Sequence, residues 1–221
     1  SQDLPIYTQL EGDIHYLKQD YNSALASYKK VNESNIRSAS TIFTEAKTLE
    51  MLETPAEEVL VLMDSCVAQF NKPYSADAAP YLIERARVRM EAKQARNAVL
   101  DYDKCYAALL GNVNDGFYNL RGQACLESKQ YQRALDDFTK AIELNPRELT
   151  YYSELAYVNM RVGRNQEAID VLKKSLKIDA EYAEGYRLIG VAYLQLKQNA
   201  EACEYFNKAK ELGDTNVDTL I

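Results

Sequence analysis

Apolar and small side chains recur along this chain at steps of three and four residues, and short polar segments interrupt them. Such spacing places the apolar positions on one face of a helix. In the C-terminal half, the interruptions fall at residues 128–130, 163–164 and 197–199. Each interruption separates two helical stretches. The pattern therefore predicts pairs of antiparallel α-helices joined by short turns.

The helical pairs repeat with a fixed period. Windows that begin at Asp115, Leu149 and Ala183 align when each is shifted by 34 residues. The matching positions are aromatic, small or aliphatic: Tyr118, Tyr152 and Tyr186; Gly122, Ala156 and Gly190; Ala134, Ala168 and Ala202; Phe138, Leu172 and Phe206. Such a period predicts a stack of helical hairpins, because each hairpin buries its apolar face only against its neighbours.

The small residues are expected where the two helices of a hairpin approach each other closely. Gly122 is predicted to face Ala134 and Ala141 on the second helix of its hairpin. Tyr118 and Phe138 are predicted to fill the wider space between that hairpin and its neighbour.

The N-terminal half carries the pattern in a more degenerate form. Hairpins are predicted at residues 5–38, 39–71 and 79–114, with the second the weakest match. Residues 72–80 are the one linker-like segment. Together with the three C-terminal windows, these make six hairpins.

The best-preserved window resembles the tetratricopeptide repeat. It has Tyr186, Ile189-Gly190 and Tyr193 on its first helix, then Ala202 and Phe206 on its second. The family pattern has an aromatic residue, Leu-Gly and Tyr, followed by Ala and Phe. The window from Asp115 also matches, although Arg121 and Cys125 occupy two positions that are usually apolar.

The resemblance implies an all-α fold, a right-handed α-α superhelix (a TPR solenoid) of about six helical hairpins. Residues 1–78 are then degenerate N-terminal hairpins, and residues 79–221 are the repeat array. The repeats of that array are predicted at 79–114, 115–148, 149–182 and 183–214, followed by a short C-terminal tail.

In this family, the first helices of successive hairpins line a concave groove. Transferring that role to the matching positions gives exposed first-helix residues, among them Ser153 and Met160. The candidates for binding a peptide are polar or aromatic: Arg87, Asn119, Gln123, Tyr157 and Arg187. We expect the two arginines to suit carboxylates of a partner and the tyrosine to provide contact area.

One binding mode of the family is not expected. Co-chaperone members hold a C-terminal carboxylate with lysine, asparagine and arginine side chains on three successive first helices. The matching positions here hold Asn119 and Gln123, then Glu154, then Glu184 and Leu188. The cations are missing and two acids take their place, so a carboxylate clamp is not predicted.

The charge balance argues against nucleic acid as a partner. The 26 basic and 33 acidic residues give a net charge of −7, and no segment has the basic density that phosphate binding requires. No apolar run approaches the length of a membrane-spanning helix, so direct membrane insertion is not expected. The sequence begins at Ser1, and both a cytoplasmic and an exported (periplasmic) location fit it.

Catalytic and metal-binding patterns are not recognised. His15 is the single histidine, and the four cysteines are widely spaced, so no metal and no cofactor is predicted. The cysteines are expected to be small buried side chains, although a Cys105–Cys125 bridge is compatible with the spacing. The acidic pairs Asp101/Asp103, Asp136/Asp137 and Glu57/Glu58 are expected on solvated helix faces.

These observations predict a non-catalytic protein- or peptide-binding scaffold or adaptor that uses the groove. The alternative is a structural assembly subunit that self-associates or joins a larger complex through the ends of its solenoid. A third interpretation is an accessory subunit that delivers a substrate to an enzyme. The oligomeric state and the identity of the partner are open at this point.

Overall fold

The computed structural model describes residues 4–32, 38–72 and 74–219 and contains twelve α-helices within them. The first six are α1 (Leu4–Leu17), α2 (Tyr21–Asn32), α3 (Ala39–Met51), α4 (Ala56–Val67), α5 (Ala79–Glu91) and α6 (Ala95–Ala108). The next six are α7 (Asp115–Glu127), α8 (Tyr131–Leu144), α9 (Leu149–Arg161), α10 (Asn165–Ile178), α11 (Ala183–Gln195) and α12 (Asn199–Glu211). Two 3-10 helices, Ala76–Ala78 and Thr215–Thr219, precede α5 and follow α12.

Consecutive helices pair into six hairpins, from α1–α2 to α11–α12. The all-α prediction of about six hairpins is therefore confirmed. The chain divides into two compact units, Ser1–Asn112 and Val113–Ile221, with three hairpins each. The predicted boundary between the degenerate hairpins (1–78) and the array (79–221) concerns repeat similarity, and it stays a prediction.

Each hairpin turn contains one residue in the left-handed backbone region. These residues are Gln19, Glu53, Lys93, Lys129, Gly163 and Lys197, and their φ values lie between 55° and 80°. In the α7–α8 turn, the Gln130 N–H donates to the Cys125 carbonyl at 2.7 Å, and the Lys129 N–H donates to Leu126 at 3.0 Å. These bonds satisfy carbonyls at the helix end and reverse the chain within a few residues.

An aromatic ring lies directly over a glycine in three of the hairpins. A Cβ atom added to Gly122 would lie 2.9 Å from the Phe138 ring, and one on Gly190 would lie 2.5 Å from Phe206. In the first hairpin, the equivalent distance from Gly12 to Tyr28 is 2.7 Å. Glycine and ring are 16 residues apart in all three cases. The missing side chain thus sets how closely the two helices approach.

This packing corrects the prediction for Gly122. Its nearest neighbours are atoms of the Phe138 ring, not Ala134 and Ala141. Phe138 is fully buried, and its ring packs on Gly122 of its own hairpin. The residue types pointed to a close approach, but the alignment did not fix which side chain meets the glycine.

Two hairpins replace an apolar contact by an ion pair. In α7–α8, the Arg121 guanidinium donates to both carboxylate oxygens of Asp137, at 2.9 and 2.7 Å. In α5–α6, Arg85 donates to both oxygens of Asp101, at 2.8 and 2.6 Å. Both aspartates are buried, so the prediction of solvated acidic faces is wrong for them. The departure of Arg121 from the family pattern is explained by its partner one helix away.

The cysteines follow their prediction with one exception. Cys66, Cys105 and Cys125 are buried, whereas Cys203 is exposed on α12, and all four are free thiols. Burial raises the pKa of the Cys105 thiol to about 11. Among the described residues, no helix has the length and apolar character needed to cross a membrane.

The ring-over-glycine contact predicts the effect of a single methyl group. Gly122→Ala is expected to lower the free energy of unfolding by about 1 to 3 kcal/mol, because the new Cβ overlaps a buried ring. Gly116→Ala, on the same helix, is the control, since its Cβ would meet only Asn114 Oδ1 at 3.6 Å. The control should be neutral or stabilising, as alanine favours helices. Urea unfolding measures the stability of both variants. Equal effects would show that the contact between Phe138 and Gly122 does not limit the helix spacing.

The Arg121–Asp137 pair predicts strong coupling between two positions. Arg121→Leu alone leaves a buried carboxylate unpaired and should destabilise by about 3 kcal/mol, as should Asp137→Val. The double variant restores the apolar pair Leu155 and Val171 found at the equivalent positions of the next hairpin. It should unfold within about 1 kcal/mol of the wild type. Additive losses in a double-mutant cycle would show that the pair is not coupled.

Candidate functional site

The second unit has an open cleft of about 360 Å³ on the side formed by its first helices. It is lined by one residue of α7, four of α9 and three of α11: Leu126; Thr150, Ser153, Glu154 and Tyr157; Glu184, Arg187 and Leu188. The four α9 residues follow the spacing i, i+3, i+4 and i+7, so they share one helix face. The middle helix therefore forms the floor, and α7 and α11 form the sides.

Glu154 is the acid at the centre of the floor. Its carboxylate accepts a hydrogen bond of 3.0 Å from the Gln123 amide on α7. Partial burial raises the pKa of Glu154, and the nearby charge of Glu184 raises it further, while the Gln123 hydrogen bond opposes them. The site thus holds a carboxylate whose negative charge is only partly compensated by the protein.

Glu184 is the second acid, and it is more exposed. The Tyr182 hydroxyl donates to Glu184 Oε2 at 3.0 Å, and it lies 2.6 Å from the hydroxyl of Ser153. Burial raises the pKa of Tyr182 to about 12, so this phenol is a neutral donor. The chain of hydroxyls orients Glu184 toward the cleft side of α11.

Arg187 is the cation of the cleft, but its charge already has partners. Its Nε donates to Asp214 Oδ2 at 2.8 Å, and its Nη2 donates to Glu184 Oε1 at 3.2 Å. The Asp214 side chain is only 7% exposed, so the pair lies largely out of water. Tyr157, by contrast, exposes 43% of its surface. The cleft therefore presents an aromatic ring, aliphatic edges and an excess of negative charge.

The five sequence-predicted residues do not share one environment. Tyr157 and Arg187 line the cleft, and Gln123 supports it through Glu154. Asn119 also lies on α7, where its Oδ1 atom is buried and accepts no hydrogen bond from any described residue. Arg87 belongs to the first unit, where it pairs with Glu84, Glu50 and Glu91.

Two of the expected exposed positions are buried. Ser153 and Met160 are 6% and 7% exposed, because α9 packs between α8 and α10. The residues that sequence reasoning did not choose are the acids Glu154 and Glu184 and their partner Tyr182. The signal was present: both acids occupy positions where the family's carboxylate clamp has polar or cationic residues.

Other chemistry has little support in the described residues. No group of three or more His, Cys, Asp and Glu side chains is arranged to hold a metal ion there. His15 lies in the first unit, where its Nδ1 is 3.2 Å from Asp20. Neither histidine nor thiol lines the cleft.

Family models match the second unit. Models described as tetratricopeptide repeat cover residues 117–148 and 183–212, and a TPR repeat model covers residues 161–197. The match at 117–148 corresponds to the α7–α8 hairpin, and the match at 183–212 corresponds to α11–α12.

The chain spans only part of the length of the curated relatives that it matches. Small glutamine-rich tetratricopeptide repeat-containing protein 2 of Mycosarcoma maydis is 33% identical over 95 residues, which is 43% of this chain and 27% of that protein. DnaJ homolog subfamily C member 7 of Homo sapiens is 32% identical over a segment that covers 43% of this chain and 19% of that protein. BBSome complex member BBS4 of Bos taurus is 26% identical over 94% of this chain and 38% of its own.

Solved structures share the fold along most of the chain. PilW, a type IV pilus biogenesis factor, has a TM-score of 0.68 at 17% identity and covers 100% of this chain and 99% of its own. YrrB, described as a TPR protein with an unusual peptide-binding site, has a TM-score of 0.65 at 20% identity, covering 87% and 95%. At these identities the likeness concerns the fold.

The repeat register, the paired helices and the three family-model matches agree with one another. The chain therefore contains tetratricopeptide repeats, which the family models place at residues 117–148, 161–197 and 183–212.

Proposed function

We propose that the chain is a non-catalytic scaffold that binds a protein or peptide segment in the cleft formed by α7, α9 and α11. The main evidence for the proposal is the cleft itself. It is open, it is lined by residues of first helices, and it contains the exposed Tyr157. Tyrosine contributes a large contact area at a small cost in side-chain entropy. An extended peptide can cross three helices there without entering an enclosed pocket.

The cleft favours a cationic segment. Glu154 and Glu184 contribute two carboxylates. Arg187 is the one cation among the described residues that line the cleft, and it is already paired with Asp214 and Glu184. A lysine or arginine side chain between the acids would form charge-assisted hydrogen bonds. Leu126, Leu188 and the Tyr157 ring would cover the apolar part of the same segment. The proposed ligand is therefore a peptide that combines a basic residue with apolar neighbours.

The candidate residues then take different roles. Tyr157 contacts the ligand, Gln123 positions Glu154, and Arg187 positions Glu184. This replaces the expectation that Arg187 receives a carboxylate of the partner. A peptide-binding role for Arg87 and Asn119 stays a prediction from the sequence, since neither residue lines this cleft.

The relatives support a scaffold rather than an enzyme. Two of them carry names that mention tetratricopeptide repeats or a DnaJ homologue, and a third is a member of the BBSome complex. The chain covers between 19% and 38% of these three proteins, so their partners are not transferred to it.

Peptide selection tests the charge preference. A random peptide library displayed against the chain should be enriched in lysine or arginine next to apolar residues. Affinity for a selected peptide, measured by fluorescence anisotropy, should fall on the order of tenfold in the double variant Glu154→Gln with Glu184→Gln. The matched control is Glu167→Gln with Glu204→Gln, which removes two exposed acids on second helices of the same unit. Enrichment of acidic peptides, or equal loss in the control, would refute the proposal.

The raised pKa of Glu154 predicts opposite effects on stability and binding. A carboxyl group with a raised pKa ionises more easily in the unfolded chain, so its contribution to stability declines as pH rises from the ordinary glutamate value through the raised one. Glu154→Gln should therefore raise the melting temperature at pH 7 while weakening capture of the basic peptide. In the wild type, peptide affinity should increase with pH as Glu154 ionises. Calorimetry and anisotropy between pH 4 and 8 follow both quantities, and a lower melting temperature at pH 7 would contradict the assignment.

A further inference from the structure

Helix α1 exposes a continuous apolar stripe. Ile6, Tyr7, Leu10 and Leu17 are 69%, 67%, 54% and 81% exposed, and Ile14 is 43% exposed. The last four of these positions, 7, 10, 14 and 17, follow steps of three, four and three residues, which is the spacing of a helix–helix seam. Large apolar side chains concentrated on one helix face indicate an interaction surface rather than ordinary solvent exposure.

The equivalent face is covered in the other hairpins of the same chain. Aligning Gly12 with Ala86 and Gly190 places Ile14 in register with Val88 and Ala192, and both are fully buried. Val88 packs with Val59, Leu60 and Met63 of α4. Ala192 packs with Ala168, Ile169 and Leu172 of α10. In both cases the covering element is the second helix of the preceding hairpin.

The position of Tyr7 gives the same result. Its counterpart on α5 is Tyr81, whose ring centroid lies 5.1 Å from that of Phe70, just beyond the end of α4. Its counterpart on α11 is Gly185, where an added Cβ would lie 3.1 Å from Leu176 of α10. The face of α1 is therefore built to receive an amphipathic helix, and no described residue covers it.

Helix α12 does not expose a matching apolar surface. The 3-10 helix Thr215–Thr219 packs on α12, and Val217 is fully buried against Ala202, Phe206 and Ala209. Positions of α12 equivalent to Ile169 and Leu176 hold the exposed residues Cys203 and Lys210. This polar surface does not match the apolar stripe of α1, which argues against head-to-tail stacking of copies.

We propose that the α1 stripe is an isologous dimer interface, in which α1 of one copy packs on α1 of a second copy. Helix α1 is itself an amphipathic helix with a seam, so α1 of a second copy can pack on it. The five side chains expose on the order of 500 Å² of apolar surface, and a dimer would bury about 1,000 Å² in total, the lower bound of a specific interface. Exposed Glu11 and Lys18 beside the stripe have opposite charges, so two copies meet without net repulsion there.

This proposal is independent of the cleft. The stripe lies in the first unit and the cleft in the second, and the two make separate predictions. Loss of dimerisation leaves peptide capture unchanged, and loss of the cleft acids leaves dimerisation unchanged.

Sedimentation velocity from about 1 µM to about 200 µM chain, the range in which an interface of this size associates, tests the proposal. The wild type should shift from a 25.1 kDa monomer to twice that mass as concentration increases. Leu10→Glu with Leu17→Glu should remain monomeric at every concentration, because each dimer would bury four unpaired carboxylates. Circular dichroism checks that this variant keeps the helical content and cooperative melting of the wild type.

The matched control is Val61→Glu with Leu100→Glu, which replaces exposed apolar residues of α4 and α6 in the same unit, 65% and 54% exposed. This control should dimerise like the wild type. A wild type that stays monomeric throughout overturns the proposal, as does a dimer that survives Leu10→Glu with Leu17→Glu. A monomer that needs the stripe to bind a helix of a different protein also overturns it, since the occupant is then not a second copy.

Discussion

The close approach of the two helices within each hairpin is the constraint on which the rest of this structure depends. In three of the six hairpins, a ring on the second helix lies over a glycine on the first, as Phe138 does over Gly122 and Phe206 over Gly190. The contact leaves no room for a side chain, so it fixes both the spacing and the rotation of the two helices. Once the rotation is fixed, each first helix has one face inside its hairpin and another available for recognition.

Polar chemistry is distributed according to that geometry. Arg121 and Arg85 enter positions that would otherwise be apolar, and each is tolerated because an aspartate 16 residues later lies directly opposite. In the cleft, Arg187 is used in a similar way, since its pairing with Asp214 joins α11 to the segment after α12. The arginines thus hold helices together, and in the proposed function the acids Glu154 and Glu184 bind the ligand. Arg187 was predicted to bind a partner, and the ion pair with Asp214 gives it a structural contact as well.

The sequence predicted the helices well because their signal is periodic. A spacing of 34 residues, repeated three times, determines hairpins whatever the exact contacts are. The burial of Asp101 and Asp137 was not predictable in the same way, because the arginines that pair with them lie on another helix. The neighbouring acids Asp103 and Asp136 also made both positions resemble a charged surface. The cleft was predicted in part: the repeat register located Tyr157 and Arg187 on the correct helices. The proposed preference for a basic segment was not predicted, since it rests on the pairing of Arg187 with Asp214, which lies after the α11–α12 hairpin.

In the proposed function, the first helices of the second unit form a recognition surface and the second helices do not. Nuclear magnetic resonance of the isotopically labelled chain, titrated with an apolar peptide that contains one lysine, tests this claim directly. We expect amide shift changes that cluster on α9 and α11 around Glu154, Tyr157 and Glu184, and that vanish when the lysine is replaced by glutamate. Shift changes confined to α8, α10 and α12, or changes that do not depend on the lysine, would contradict it.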